Sequence, residues 1–131
     1  MTRKKWPYIV DGIIAGFVFF IIGWSVALSA QAQIRPDGKA LFEKRCGGCH
    51  ALDRDKEGPR LRGVYGRAAG AIESFQYSEA LKRSGLKWTD ENLDKWLSDT
   101  EKLVPDNDMT FHVEKADERT EIIAYLKNAG K

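Results

Sequence analysis

The sequence predicts an all-α domain with long loops, and three observations carry that expectation. Beyond residue 33, apolar residues recur at helical spacing. No run alternates at period two, as a half-buried strand requires. The helical stretches are separated by segments punctuated with glycine and proline.

The first 32 residues read differently from the rest. Arg3, Lys4 and Lys5 precede Asp11, and Gly12 to Ala30 then carries no charge. A basic start, an apolar core and Ala30-Gln31-Ala32 match a secretory signal peptide cleaved after Ala32. The same run is nearly long enough to span a bilayer, which makes a retained anchor the competing reading. Trp6 and Tyr8 would then lie at the interface, with the basic residues in the cytoplasm. Both readings divide the chain into a targeting or anchoring segment, 1–32, and a domain, 33–131, on the far side of the membrane.

Within the domain, Ile34 to Gly38 is a short link, and Pro36-Asp37 is a helix start. Ala40, Leu41, Phe42 and the Cys46 region follow at helical spacing, and Gly47-Gly48 weakens that helix at its end. Gly58, Pro59, Gly63, Gly66 and Gly70 mark an extended loop. Tyr77 to Arg83 allows one or two helical turns, closed by Gly85. Thr89 is an N-cap for a helix that places Leu93, Trp96 and Leu97 on one face. Pro105 begins another loop, through Asp106-Asn107-Asp108 to Phe111. The last helix, Ala116 to Ala129, has acidic residues in its first turn, apolar Ile122, Ile123, Tyr125 and Leu126, and Gly130 as its stop.

The formal charge of +2 comes from 21 basic and 19 acidic residues. Removing Arg3, Lys4, Lys5 and Asp11 with residues 1–32 leaves 18 of each sign. The basic excess therefore belongs to the leading segment, and nucleic-acid binding has no electrostatic support. A domain of this size buries only a marginal core unaided, so a large apolar ligand would add what the side chains lack.

Such a ligand is indicated by Cys46-Gly47-Gly48-Cys49-His50. Two thiols three residues apart on a helical turn point to one side, where each can form a thioether with a haem vinyl group. His50 follows, placed to coordinate the iron, and its other ring nitrogen needs an acceptor. A zinc site would have to take every cysteine and histidine the chain holds, two of each, and thioredoxin-like chemistry would come with a βαβ pattern that is absent. Haem c, one per chain and covalent, is the expected cofactor. For the second axial position the residues leave Met109, His112 or an open site, because Met1 belongs to the leading segment.

From residue 34 to 130 the chain resembles class I cytochrome c, the mitochondrial and bacterial cytochrome c2 type. The resemblance rests on Gly38 and Phe42, the CGGCH run, Gly58-Pro59-Arg60-Leu61, Gly66-Arg67-Ala68-Ala69-Gly70, Tyr77-Ser78, Trp88, Val104-Pro105, Met109-Thr110-Phe111 and Ile122 to Lys127, in matching order. It implies a haem enclosed by helices and loops, with the first and last helices crossing. It also implies His50 and Met109 as axial ligands, with the Pro59 carbonyl accepting from His50. Arg67, Tyr77 and Trp88 would then serve the inner propionate. Trp96 stands where many members carry a tyrosine near the methionine, and it cannot accept a hydrogen bond as a phenol can. Asn107 replaces a common threonine, Asp108 stands where mitochondrial members have a lysine, and the loop from His50 to Pro59 is shorter than theirs.

The function implied is that of a monomeric, non-enzymatic periplasmic electron carrier. Its redox partners would be a quinol-oxidising complex, a terminal oxidase or a reaction centre. Arg45, Lys102 and Lys115 are candidates for a docking face, diluted by Glu101 and Asp108. If residues 12–30 are retained, only about five residues separate membrane and domain, and the carrier would serve an adjacent complex.

Overall fold

The computed structural model describes residues 36–131. The expected signal or anchor segment, residues 1–32, lies outside the described residues. Among those described there are five helices: α1 Gly38–Arg45, α2 Glu79–Arg83, α3 Asp90–Ser98, α4 Thr100–Leu103 and α5 Ala116–Asn128. The only strand-like pairing among them is an isolated bridge between Ala68 and Lys87, so the all-α expectation holds.

Helix α1 begins where the Asp37 carboxylate accepts from the Lys39 amide at 3.0 Å. It ends as the Cys46 and Gly47 amides both donate to the Phe42 carbonyl. Helix α5 has no side-chain cap, but Asp117 and Glu118 place negative charge at its first turn. The two helices cross at Gly38. A Cβ built there would stand 2.3 Å from the Glu121 carbonyl oxygen and 3.1 Å from Cβ of Tyr125. One turn on, the Phe42 and Tyr125 rings pack with centroids 5.3 Å apart. Arg45 closes the far end of the crossing on Glu118 at 2.8 Å.

Helix α3 packs on α5, with its Leu93, Trp96 and Leu97 buried as the periodicity predicts. Thr89 caps it by accepting from the Asn92 amide. Arg119 of α5 ties the pair together: it meets Asp94 at 2.7 Å and donates to the Val113 and Glu114 carbonyls. Ile122 and Val113 lie at the centre of the core, 0% and 1% exposed.

Two local expectations need correction. Tyr77 lies outside α2, because Ser78 caps that helix by accepting from the Leu81 amide. The stretch from Thr89 to Pro105, expected as one helix, is two. Asp99 takes an extended conformation, φ −164° and ψ 101°, which ends α3. Its carboxylate then accepts from the Lys102 amide and starts α4.

Because the atom facing Gly38 is a backbone carbonyl, it has no rotamer through which to move aside. Gly38→Ala is expected to destabilise the folded holoprotein by about 2 kcal/mol or more. A shift of the denaturation midpoint to lower denaturant measures this; an unchanged midpoint would show that the crossing is loose.

Candidate haem site

The turn following α1 builds the first wall of a cavity of about 320 Å³. The Cys49 and His50 amides both donate to the Cys46 carbonyl, at 3.2 and 2.9 Å. This continues the helical sense and keeps Cys46, Cys49 and His50 together on the lining. Lys56 fastens the turn from outside, its ammonium donating to the Gly47 and Gly48 carbonyls at 2.6 and 2.7 Å. The Gly58 amide donates to Cys49, which brings the next segment over the histidine.

That segment orients His50. Nδ1 lies 2.8 Å from the Pro59 carbonyl. A carbonyl only accepts, so Nδ1 carries the hydrogen and Nε2 keeps its lone pair for a metal. A Cβ on Gly58 would fall 2.3 Å from His50 Cε1, so the ring occupies space that any other residue would fill. Burial pulls the His50 pKa down, the Pro59 bond works against this and Lys56 adds to it. The net direction favours the neutral imidazole, the form that ligates. Burial raises the Cys46 thiol to about 11, with Arg45 opposing and Cys49 adding to the shift. Cys49 is exposed and directs its sulfur towards Glu57 at 3.8 Å.

Arg67, Tyr77 and Trp88 also line the cavity. Arg67 donates to the Arg60 and Arg62 carbonyls at 3.0 and 3.1 Å. Burial lowers its pKa and raises that of Tyr77, and each of the two opposes the other's shift. The indoles of Trp88 and Trp96 pack with centroids 5.4 Å apart. Leu81, Leu93, Leu97, Ile122 and Leu126 complete an apolar lining drawn from α2, α3 and α5.

Met109 reaches the same cavity from the loop after α4. Its amide donates to Asn107 Oδ1 at 2.7 Å, and its carbonyl accepts from the Thr100 hydroxyl at 2.5 Å. Asn107 is buried and donates through Nδ2 to the Val104 carbonyl at 2.9 Å and to Glu101 at 3.3 Å. His112, the rival ligand, is not on the lining; its side chain is 64% exposed and lies 3.9 Å from Glu114.

The residues fit a covalently held haem. Two thiols and an oriented neutral imidazole share one apolar chamber, and the histidine packs on a glycine that leaves no room for a side chain. The structure therefore brings together every site residue expected from sequence: Cys46, Cys49, His50, Pro59, Arg67, Tyr77, Trp88, Trp96 and Met109. Sequence reasoning gave Gly58 no role beyond loop punctuation, noted Asn107 only as a departure, and passed over Lys56 and Thr100. A glycine immediately before the proline was the available signal for the first. Thr100 and Lys56 act on backbone carbonyls nine residues away, which no local pattern announces.

Gly58→Ala is expected to displace the His50 ring, break its bond to Pro59 and destabilise the holoprotein by about 1–3 kcal/mol. Gly48→Ala, where an added Cβ meets nothing within 4 Å, is the matched control with little effect. Thermal unfolding of both variants decides it, and equal midpoints would remove Gly58 from the histidine's support.

The sequence profile of cytochrome c matches residues 36–130. Cytochrome c of Gibberella zeae is 39% identical over 98 residues, covering 72% of this chain and 92% of that protein. Cytochrome c2 of Blastochloris viridis is 37% identical over 115 residues, covering 85% and 89%. The solved structure of cytochrome cH from Methylobacterium extorquens superposes with a TM-score of 0.66 at 39% identity, covering 70% of this chain and 94% of that one. Members of this family carry one covalent haem c on a Cys-x-x-Cys-His motif, here Cys46, Cys49 and His50, and they are electron carriers rather than enzymes. With this fold, this cavity and this motif, the chain belongs to the class I cytochromes c.

Proposed function

We propose that the protein carries single electrons between redox complexes in the bacterial periplasm, with His50 and Met109 as the axial ligands of its haem iron. The observation that supports this best is the convergence of His50 and Met109, far apart in sequence, on one apolar cavity from which His112 is excluded. When bound there, haem c supplies one-electron chemistry between ferric and ferrous iron.

The chain's own residues do the rest. Cys46 and Cys49 would hold the macrocycle through thioethers. Pro59 fixes the plane of the imidazole through Nδ1. The soft thioether of Met109 and the apolar walls favour the less charged, reduced state and exclude water. Arg67, Tyr77 and Trp88 are placed to receive a propionate, offsetting a charge that is costly to bury. With His50 and Met109 both holding the iron, no position would be left for a substrate, and the transfer would be outer-sphere.

Docking to partners works with a weak basic field. Arg45 and Lys115 both meet Glu118, at 2.8 and 3.8 Å, so two of the three candidate docking cations share one carboxylate. Asp108 lies on the cavity lining and adds a negative charge. A quinol-oxidising complex, a terminal oxidase and a photosynthetic reaction centre are all partners of suitable chemistry.

The uncharged run Gly12 to Ala30 supports a second form of the same carrier, tethered to the inner membrane. Intact mass of the protein from membrane and soluble fractions separates the two. A chain beginning at Gln33 in the soluble fraction is expected for a cleaved signal; a full-length chain confined to membranes would establish the anchor.

The ligand assignment is tested on visible spectra of the oxidised and reduced holoprotein. Wild type is expected to be low-spin in both states, with the weak far-red sulfur-to-iron band of the ferric form. Met109→Ala is expected to abolish that band. A high-spin wild type, or a spectrum indifferent to the substitution, would overturn Met109.

A further inference from the structure

The segment that carries Met109 has no regular secondary structure, yet both backbone polar groups of Met109 are held by side chains. Its N–H donates to Asn107 Oδ1 at 2.7 Å and its carbonyl accepts from the Thr100 hydroxyl at 2.5 Å. The Asn107 amide is in turn fixed by the Val104 carbonyl and by Glu101, and Glu101 uses its other oxygen to accept from the Asp106 amide at 3.1 Å. Asp106 itself stands at φ +61°, in the left-handed region that asparagine, aspartate and glycine tolerate best. Thr100 is 4% exposed and Asn107 9%, so neither bond can be exchanged freely for one to water.

We propose that Thr100, Glu101 and Asn107 form a clamp that positions Met109, and that the clamp rather than the sulfur–iron bond alone keeps the sixth coordination position closed to outside ligands. The inference rests on Met109 being that ligand. A thioether is a neutral, weak donor, and a competitor such as imidazole replaces it whenever the loop can swing away. The closed form is therefore set by the free energy of moving the loop. Opening the loop would break the two bonds to Met109 and expose partners that are satisfied only in the closed form. Thr100 and Glu101 belong to the short helix α4, which the core anchors through the buried side chain of Thr100 itself. All three residues are positioning residues: none is needed to touch the iron.

Imidazole binding to the ferric holoprotein, followed by loss of the far-red band, tests this. Thr100→Val keeps shape and removes the hydroxyl; Asn107→Ala removes the bond to the Met109 amide. Each is expected to tighten imidazole binding by about tenfold or more, and Thr100→Ser to restore the wild-type value. Wild-type-like imidazole affinity in both Thr100→Val and Asn107→Ala overturns the clamp while leaving the ligand assignment intact. If wild type lacks the far-red band, or Met109→Ala keeps it, the ligand assignment fails first and the clamp falls with it. Should a variant not accumulate folded protein, hydrogen exchange at the Met109 amide of wild type decides. Protection comparable to the amides of α5 supports the clamp, and exchange at the rate of an open loop overturns it.

Discussion

A methyl group at position 38 would meet the Glu121 carbonyl at 2.3 Å, and this close approach of two helix backbones is the constraint on which the rest depends. It fixes α1 against α5. The turn that ends α1 carries Cys46, Cys49 and His50, so the attachment motif is placed by the crossing rather than by its own loop. Phe42 against Tyr125 and Arg45 against Glu118 set the angle from the two ends. Of these, the aromatic contact and the backbone approach matter most, because a partly exposed ion pair contributes at most about 1 kcal/mol. α5 also receives α3, and through it Trp96 and Leu97 reach the cavity. The chamber is thus a consequence of packing around one helix.

What the crossing cannot supply is the opposite side of the site, which comes from irregular chain. Here side-chain-to-backbone bonds take over the work of secondary structure. Lys56 holds the Gly47 and Gly48 carbonyls, Arg67 holds two carbonyls of the preceding loop, and the Asp55 carboxylate accepts from the Arg60 amide. The same device recurs around Met109. No buried side-chain polar atom among the described residues lacks a partner. A domain of this length has little apolar core to spare, and leaving such groups unpaired would cost about 1–3 kcal/mol each.

The regular parts of the fold were legible because their signals are local. The Asp37 and Thr89 caps, the acidic start of α5 and the spacing of Leu93, Trp96 and Leu97 each act within a few residues. The attachment motif was legible for the same reason. α4 was not, since it is four residues long and owes its existence to Asp99, one residue serving both as the end of α3 and as the start of α4. A cap that does two jobs looks in sequence like an ordinary polar residue near a helix end. The resemblance to a family supplied Pro59, Arg67, Tyr77 and Trp88 ahead of the structure. It could not supply Thr100, Glu101 and Asn107, because Asn107 had registered only as a departure from the common threonine, with no partner to give that departure a meaning.

That departure acquires a physical meaning in the geometry. A threonine at position 107 would offer one hydroxyl; asparagine offers an acceptor and two donors, and the structure engages both ends of the amide. The added donors reach back to Val104 and Glu101, so the residue spans the loop it sits in. An electron carrier gains from this in a specific way. Transfer is fast only if the ligands move little between oxidation states, and a ligand on a loop moves unless something other than the metal holds it. In the histidine half that holder is a carbonyl and a missing Cβ; around Met109, the proposed second ligand, it is a buried amide and a hydroxyl. The two halves reach the same end from opposite materials. One is built by removing a side chain at Gly58, the other by adding polar ones at Thr100 and Asn107.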